Sequence, residues 1–219
     1  LAYSDDDEAL GADGRFVYRF KNTGDYLLEV RDIRYQGGND YFYRLRVGDF
    51  PLVTAAYPLG VQRGSRAQIE ATGPAREALR GEANVPAEIA DNELKLKVQS
   101  PGGQASSPLS VLVSKEVEQV EFEPNDTREQ ATMVEARGAV NGRFALPHDR
   151  DHFRFAAKKG QHLLLVGRTR RLGSPADLYM RLFDAKGTQL AEVEDTGGSE
   201  GILDLTCTAD GDYTLAVED

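Results

Sequence analysis

The stretch Val120-Glu121-Phe122-Glu123-Pro124-Asn125-Asp126-Thr127 sets three carboxylates and one amide within six positions, Glu121 to Asp126. Side chains alternate faces along an extended strand, so Glu121 and Glu123 share one face and Phe122 points to the other. Pro124 blocks a helix before Asn125. The chain then turns, and Asn125 and Asp126 add two more oxygen donors. Clustered hard oxygens suit Ca²⁺, which takes six to eight of them. One tight segment cannot supply that many. The best source of the rest is His148-Asp149-Arg150-Asp151, just ahead of Phe153-Arg154-Phe155. The residues alone leave a second reading open, in which Glu121 to Asp126 is a solvated interdomain linker.

Outward from that stretch, the chain reads as strands and turns. Period-2 alternation dominates over helical spacing. Phe16, Tyr18 and Phe20 alternate with Val17 and Arg19, and Tyr26, Leu28 and Val30 follow after the turn Lys21–Asp25. Tyr41, Tyr43, Leu45 and Val47 share a third face. A second block, 51–114, opens with the loop Tyr57–Ser65. It continues with strands at Ala67–Ala71, Leu94–Val98 and Leu109–Val113. Ala75 to Glu82 is ambiguous, with Gly81 and Pro86 as helix breakers. The third block, 115–219, predicts a short helix over Thr127–Val134. Strands are predicted at Phe153–Phe155, Leu163–Val166, Leu178–Leu182, Leu190–Val193, Leu203–Cys207 and Tyr213–Val217. Its predicted inward face comprises Phe153, Phe155, Leu163, Leu165, Leu182, Leu205, Tyr213, Leu215 and Val217. The fold class expected is all-β.

A repeat joins the first block to the third. Gly24-Asp25-Tyr26 matches Gly211-Asp212-Tyr213 at an offset of 187. At that offset Phe16, Tyr18 and Phe20 fall on Leu203, Leu205 and Cys207, and Leu28 and Val30 fall on Leu215 and Val217. Residues 1–50 are therefore expected to be the C-terminal half of a second such domain. The third block is expected to stop short of a strand equivalent to Tyr41–Val47. An uncovered half-domain invites self-association through residues 1–50.

Composition excludes several partners. The net charge of -10 disfavours nucleic acid and anionic membrane surfaces and is compatible with cation binding. A mean hydropathy of -0.47 fits a globular chain. No apolar run approaches the roughly 18 residues of a membrane helix. Cys207, the single cysteine, precludes an intrachain disulfide and reads as a small buried hydrophobe. His148, His152 and His162 form no metalloprotease pattern, and Gly173-Ser174-Pro175 lacks the second glycine of a nucleophile elbow. Asp149 and Asp151 serve more simply as metal ligands or turn formers than as an acid–base pair. Arg168-Thr169-Arg170-Arg171 reads as a solvated loop.

The third block resembles a bacterial pre-peptidase C-terminal domain. The resemblance rests on Glu121-x-Glu123-Pro124-Asn125-Asp126, Asp149-x-Asp151-His152-Phe153-x-Phe155, Leu182-Phe183-Asp184-x-x-Gly187 and Ala209-Asp210-Gly211-Asp212-Tyr213-Thr214-Leu215. The middle block resembles an IPT/TIG-type immunoglobulin-like domain through Pro58-Leu59-Gly60-x-x-Arg63-Gly64-Ser65. Together they resemble the domain arrays of large secreted or surface proteins, notably of planctomycetes. The resemblance implies jelly-roll-like β-sandwiches flanking an immunoglobulin-like one. It also implies Ca²⁺ ligation by Glu121, Glu123, Asn125, Asp126, Asp149 and Asp151. Where relatives that bind collagen carry tyrosine, this chain has His152. The expected role is a non-catalytic accessory segment of an extracellular, surface or periplasmic protein, whose partners are the linked domains. The alternative is a module that recruits an extracellular protein or polysaccharide to a linked hydrolase. An exposed aromatic platform would favour that alternative, and Tyr35, Phe42 and Tyr179 are its candidates.

Overall fold

The structure is a computed structural model and describes residues 2–4, 14–74, 77–194 and 201–219. Among the described residues the regular elements are strands, save one 3₁₀ turn at Arg170–Leu172. None of them is a helix long and apolar enough to cross a membrane. The protein is an all-β sandwich protein with two separate hydrophobic cores.

The first core belongs to strands β1 (Ala55–Tyr57), β2 (Gly60–Gln62), β3 (Arg66–Thr72), β4 (Leu79–Asn84), β5 (Glu93–Leu96) and β6 (Leu109–Ser114). They form two three-stranded sheets, β1-β3-β4 and β2-β6-β5. Alternation explains the packing: β6 buries Leu109, Val111 and Val113 and leaves Ser110, Leu112 and Ser114 half-buried. Ile69 closes the core from the facing sheet, with Val85 from the loop after β4 and Val98 from the segment after β5. The segment weighed as helical over 75–82 is instead a strand from Leu79 onward. Here β4 pairs antiparallel with β3, and Gly81 stands opposite Ile69. A Cβ on Gly81 would come within 3.0 Å of Val98 Cγ1, so this glycine permits a close approach between layers. Residues 75 and 76 lie outside the described residues.

The second core is built by β7 (Glu118–Val120), β8 (Thr132–Met133), β9 (Ala139–Asn141), β10 (Arg150–Ala157), β11 (His162–Val166), β12 (Tyr179–Phe183), β13 (Gln189–Glu194), β14 (Ile202–Thr206) and β15 (Gly211–Glu218). The main sheet has the order β13-β12-β15-β10-β8, while β11 pairs with β14 and β7 with β9. Phe153, Phe155, Leu163, Leu182, Tyr213 and Val217 are buried as the alternation requires, and Leu165, Leu205 and Leu215 pack against them. Met180, Leu203 and Cys207 join them in the core. The helix predicted over Thr127–Val134 does not form. A turn closes with Gln130 N–H donating to the Thr127 carbonyl, and β8 then runs parallel to β10. Thr132 favours the strand because its hydroxyl bonds the Phe122 N–H and carbonyl, each at 3.1 Å.

Residues 14–50 depart most from the sequence reading. The described part contains no strand, although three were predicted. Its apolar side chains, from Phe16 to Val47, are exposed. Tyr18 packs edge-on against Phe20, and Phe20 against Tyr26. Two or three strands without a covering layer are marginal in water, so alternation alone does not produce the sheet. The root of the segment is held where the Arg46 guanidinium stacks on Phe50 and donates to the Ser106 and Ala105 carbonyls, each at 3.4 Å.

The two sandwiches meet at a polar junction. Asn141 Oδ1 accepts from Gly60 N–H at 2.8 Å, and its amide donates to Glu118 and to the Gln119 carbonyl. Arg143 pairs with Glu70 at 3.0 Å and lies over the Tyr57 ring. Gly173 reaches the first sandwich from the other side: at φ +83°, an added Cβ would sit 1.9 Å from the Thr54 carbonyl oxygen.

Candidate metal centre

Asp151 occupies the first inward position of β10, in line with Phe153 and Phe155, and is 2% exposed. Glu121 and Glu123 follow β7 directly and approach Asp151 so that one oxygen from each lies within 4.8 Å of the others. Phe122 points into solvent, as alternation requires. The peptide bond before Pro124 is cis. Behind it Asn125 is fully buried. Its backbone N–H donates to Glu123 Oε2 at 2.9 Å, and its carbonyl accepts the His152 N–H at 3.0 Å, with His152 Nδ1 3.2 Å away.

The Asn125 amide identifies the character of the site. With Nδ2 directed at Glu121 Oε2, its oxygen faces Glu123 Oε2 and Asp151 Oδ1 at 3.2 Å each, with no donor between them. Three carboxylates thus aim oxygens at a common point, with the Asn125 amide set against them. Rotating the amide would let the nitrogen donate to Glu123 and Asp151 instead. The two orientations are the two ways of relieving oxygen crowding: a cation among the oxygens, or an amide proton.

The other two residues of the expected ligand set are placed differently. Asp126 is exposed to solvent. Asp149 closes its own loop, with its carboxylate accepting from the Ala145 and Arg150 N–H groups. These bonds account for its position two residues from Asp151 without drawing it into the group. No motif pointed to Arg143 or Tyr57. The Arg143 N–H donates to Glu121 Oε1, and the Tyr57 hydroxyl donates to the Asn141 carbonyl at 3.4 Å. Neither position carries a local pattern: Tyr57 comes from the first sandwich, and Arg143 meets Glu121 through the pairing of β9 with β7.

Electrostatics register the crowding. Burial, followed by the charges of Glu121, Asp149 and Glu123, pushes the Asp151 carboxyl up to about 8. Burial also raises Glu121, against the hydrogen bonds from Arg143 and Asn125. Tyr57 is pushed up to about 12 by burial and by Glu121. Burial lowers His152. Folding therefore holds a proton on Asp151 that the unfolded chain, with a carboxyl near 3.8, releases. The unfolded state binds fewer protons between about pH 4 and about pH 8, so stability in chelator should fall as pH rises through that window. Denaturant melts across it check the slope. A Ca²⁺-loaded site should flatten the slope, because binding expels the proton.

The residues present fit Ca²⁺. The donors are all oxygens, three of them carboxylates, arranged irregularly and partly open to water. Mg²⁺ would demand a near-ideal octahedron. Glu121, Glu123, Asn125 and Asp151 would hold the ion, which would neutralise their repulsion. None of the three histidines joins this group through its ring except His152, whose Nδ1 faces the Asn125 carbonyl, while His162 Nε2 pairs with Asp204 at 2.6 Å on an exposed sheet face. Tyr35 and Phe42 are exposed, and Tyr179 is half-buried with its hydroxyl donating to Glu192.

No protein-family profile matches the chain. It is 33% identical over 104 residues to a probable subtilase-type serine protease of Deinococcus radiodurans. That match takes in 44% of this chain and 14% of the protease, so the chain spans about a seventh of its relative. A solved structure from Bacteroides ovatus, the mixed-linkage glucan utilisation locus SGBP-B in complex with a mixed-linkage heptasaccharide, superposes with a TM-score of 0.25 at 12% identity. The superposition covers 78% of this chain and 77% of that one, and so low a score carries no argument.

Proposed function

We propose that this chain is a non-catalytic accessory segment of a larger extracytoplasmic protein. In this reading the Glu121, Glu123, Asn125 and Asp151 site binds one Ca²⁺ that stabilises the second sandwich. The observation that carries the reading is the gathering of Glu121, Glu123 and the buried Asp151, one oxygen from each within 4.8 Å of the others. Crowded carboxylates repel one another, and a cation among them removes that cost. The segment shared with a protease of which it is a small part supports a place beside a catalytic domain rather than within one. Extracellular modules bind Ca²⁺ at about 10⁻⁴–10⁻³ M, where the ion is abundant. The linked domains of the parent protein are the partners.

Titration calorimetry with Ca²⁺ tests the site. One ion should bind per chain in that range, Mg²⁺ should bind far more weakly, and Asp151→Ala should abolish the heat. Absence of binding at millimolar Ca²⁺ would leave the acidic stretch a solvated linker.

A further inference from the structure

The strandless segment and one free sheet edge fit each other. Among the described residues β14 pairs only with β11, so its other edge offers unpaired backbone groups. Along β14 the side chains of Leu203 and Leu205 point inward, and those of Ile202, Asp204 and Thr206 point outward. The edge strand of the main sheet, β13, is different. It carries Glu192 and Glu194, charges that discourage pairing.

Tyr41–Val47 has the complementary pattern. Tyr43 and Leu45 share one face with Tyr41 and Val47, and Phe42, Arg44 and Arg46 share the other. All of the apolar ones are exposed, with Phe42 at 86% and Tyr43 at 74%. The sequence repeat indicates what such a segment is shaped to meet. Residues 16–32 repeat 203–219, the residues that form β14 and β15, so residues 14–50 carry the apolar faces of a sandwich of this kind. Charge adds to the match locally: Tyr41–Val47 carries Arg44 and Arg46 and no acid, and β14 carries Asp204 and no base.

We propose that Tyr41–Val47 of one copy of this chain adds as a strand to the free edge of β14 in a second copy. Backbone hydrogen bonds fill the edge. Tyr43 and Leu45 extend the core beside Leu203 and Leu205, and Arg44 faces Asp204 across the outer surface. The exposed Ile202 is covered by the neighbouring strand.

Sedimentation velocity from micromolar to near-millimolar protein, in chelator and in Ca²⁺, tests the proposal. The wild-type chain should self-associate with rising concentration. Tyr43→Glu, a change at an exposed position that the fold tolerates, should weaken association about tenfold or more. Asp204→Lys should weaken it at the receiving edge, and Arg44→Glu combined with Asp204→Lys should recover part of the loss. A chain that stays monomeric throughout would overturn the proposal. So would association indifferent to Tyr43→Glu, or a combined variant weaker than either single change.

Discussion

In saturating Ca²⁺ the second sandwich is expected to melt about 10 °C above its melting temperature in EDTA. An ion that binds only the folded state adds RT ln(1 + [L]/Kd), about 2.7 kcal/mol at a hundredfold excess over Kd. For a unit of about 100 residues each kcal/mol moves the midpoint by at least about 4 °C. The variant Asp151→Asn separates this cause from ordinary packing. Asp151 is buried beside Glu121 and Glu123 and feels the charge of Asp149 as well, so its charge is a cost in the ion-free protein. The neutral variant should therefore melt higher than wild type in EDTA and gain little from Ca²⁺. Calorimetric scans of both proteins in both buffers check the four values. A wild-type midpoint that ignores Ca²⁺ would remove the metal from the account.

Leu182→Ala is expected to cost about 2–5 kcal/mol, the range for a large buried aliphatic side chain whose cavity cannot collapse. Leu182 is fully buried in β12 and sits opposite Ala191 on one neighbouring strand and Leu215 on the other. Strands pinned on two sides cannot close over the void. Leu164→Ala, on the outward face of β11 at 58% exposure, should change stability by no more than about 0.5 kcal/mol. Urea unfolding of the two variants measures the contrast. Because the first core shares no residue with the second, the loss should fall on one transition and leave the other in place.

The candidate site was partly legible. The alternation of Glu121, Phe122 and Glu123 put the two carboxylates on one side, and the structure keeps them there with Phe122 in solvent. The sequence reading leaves Asp151 in the loop ahead of Phe153; the structure extends the strand to it and turns it inward with Phe153 and Phe155. Parity could not sort Asp149 from Asp151, since they share it. Local N–H groups at Ala145 and Arg150 claim Asp149, while the sheet carries Asp151 inward. Nor could it find Tyr57, which reaches Glu121 only once the two sandwiches are docked, or Arg143, whose backbone N–H meets Glu121 only where β9 runs beside β7.

The sequence by itself determined the all-β class, the strand faces of the second sandwich and the clustering of acids around Pro124. These follow from two-residue periodicity and turn chemistry, which are local properties of the chain. Tertiary structure alone decided which acids meet, whether Thr127–Val134 would be helix or strand, and what becomes of residues 14–50. That segment carries the same alternation as β14 and β15 yet forms no strand, because alternation names a face and only a second layer can bury it.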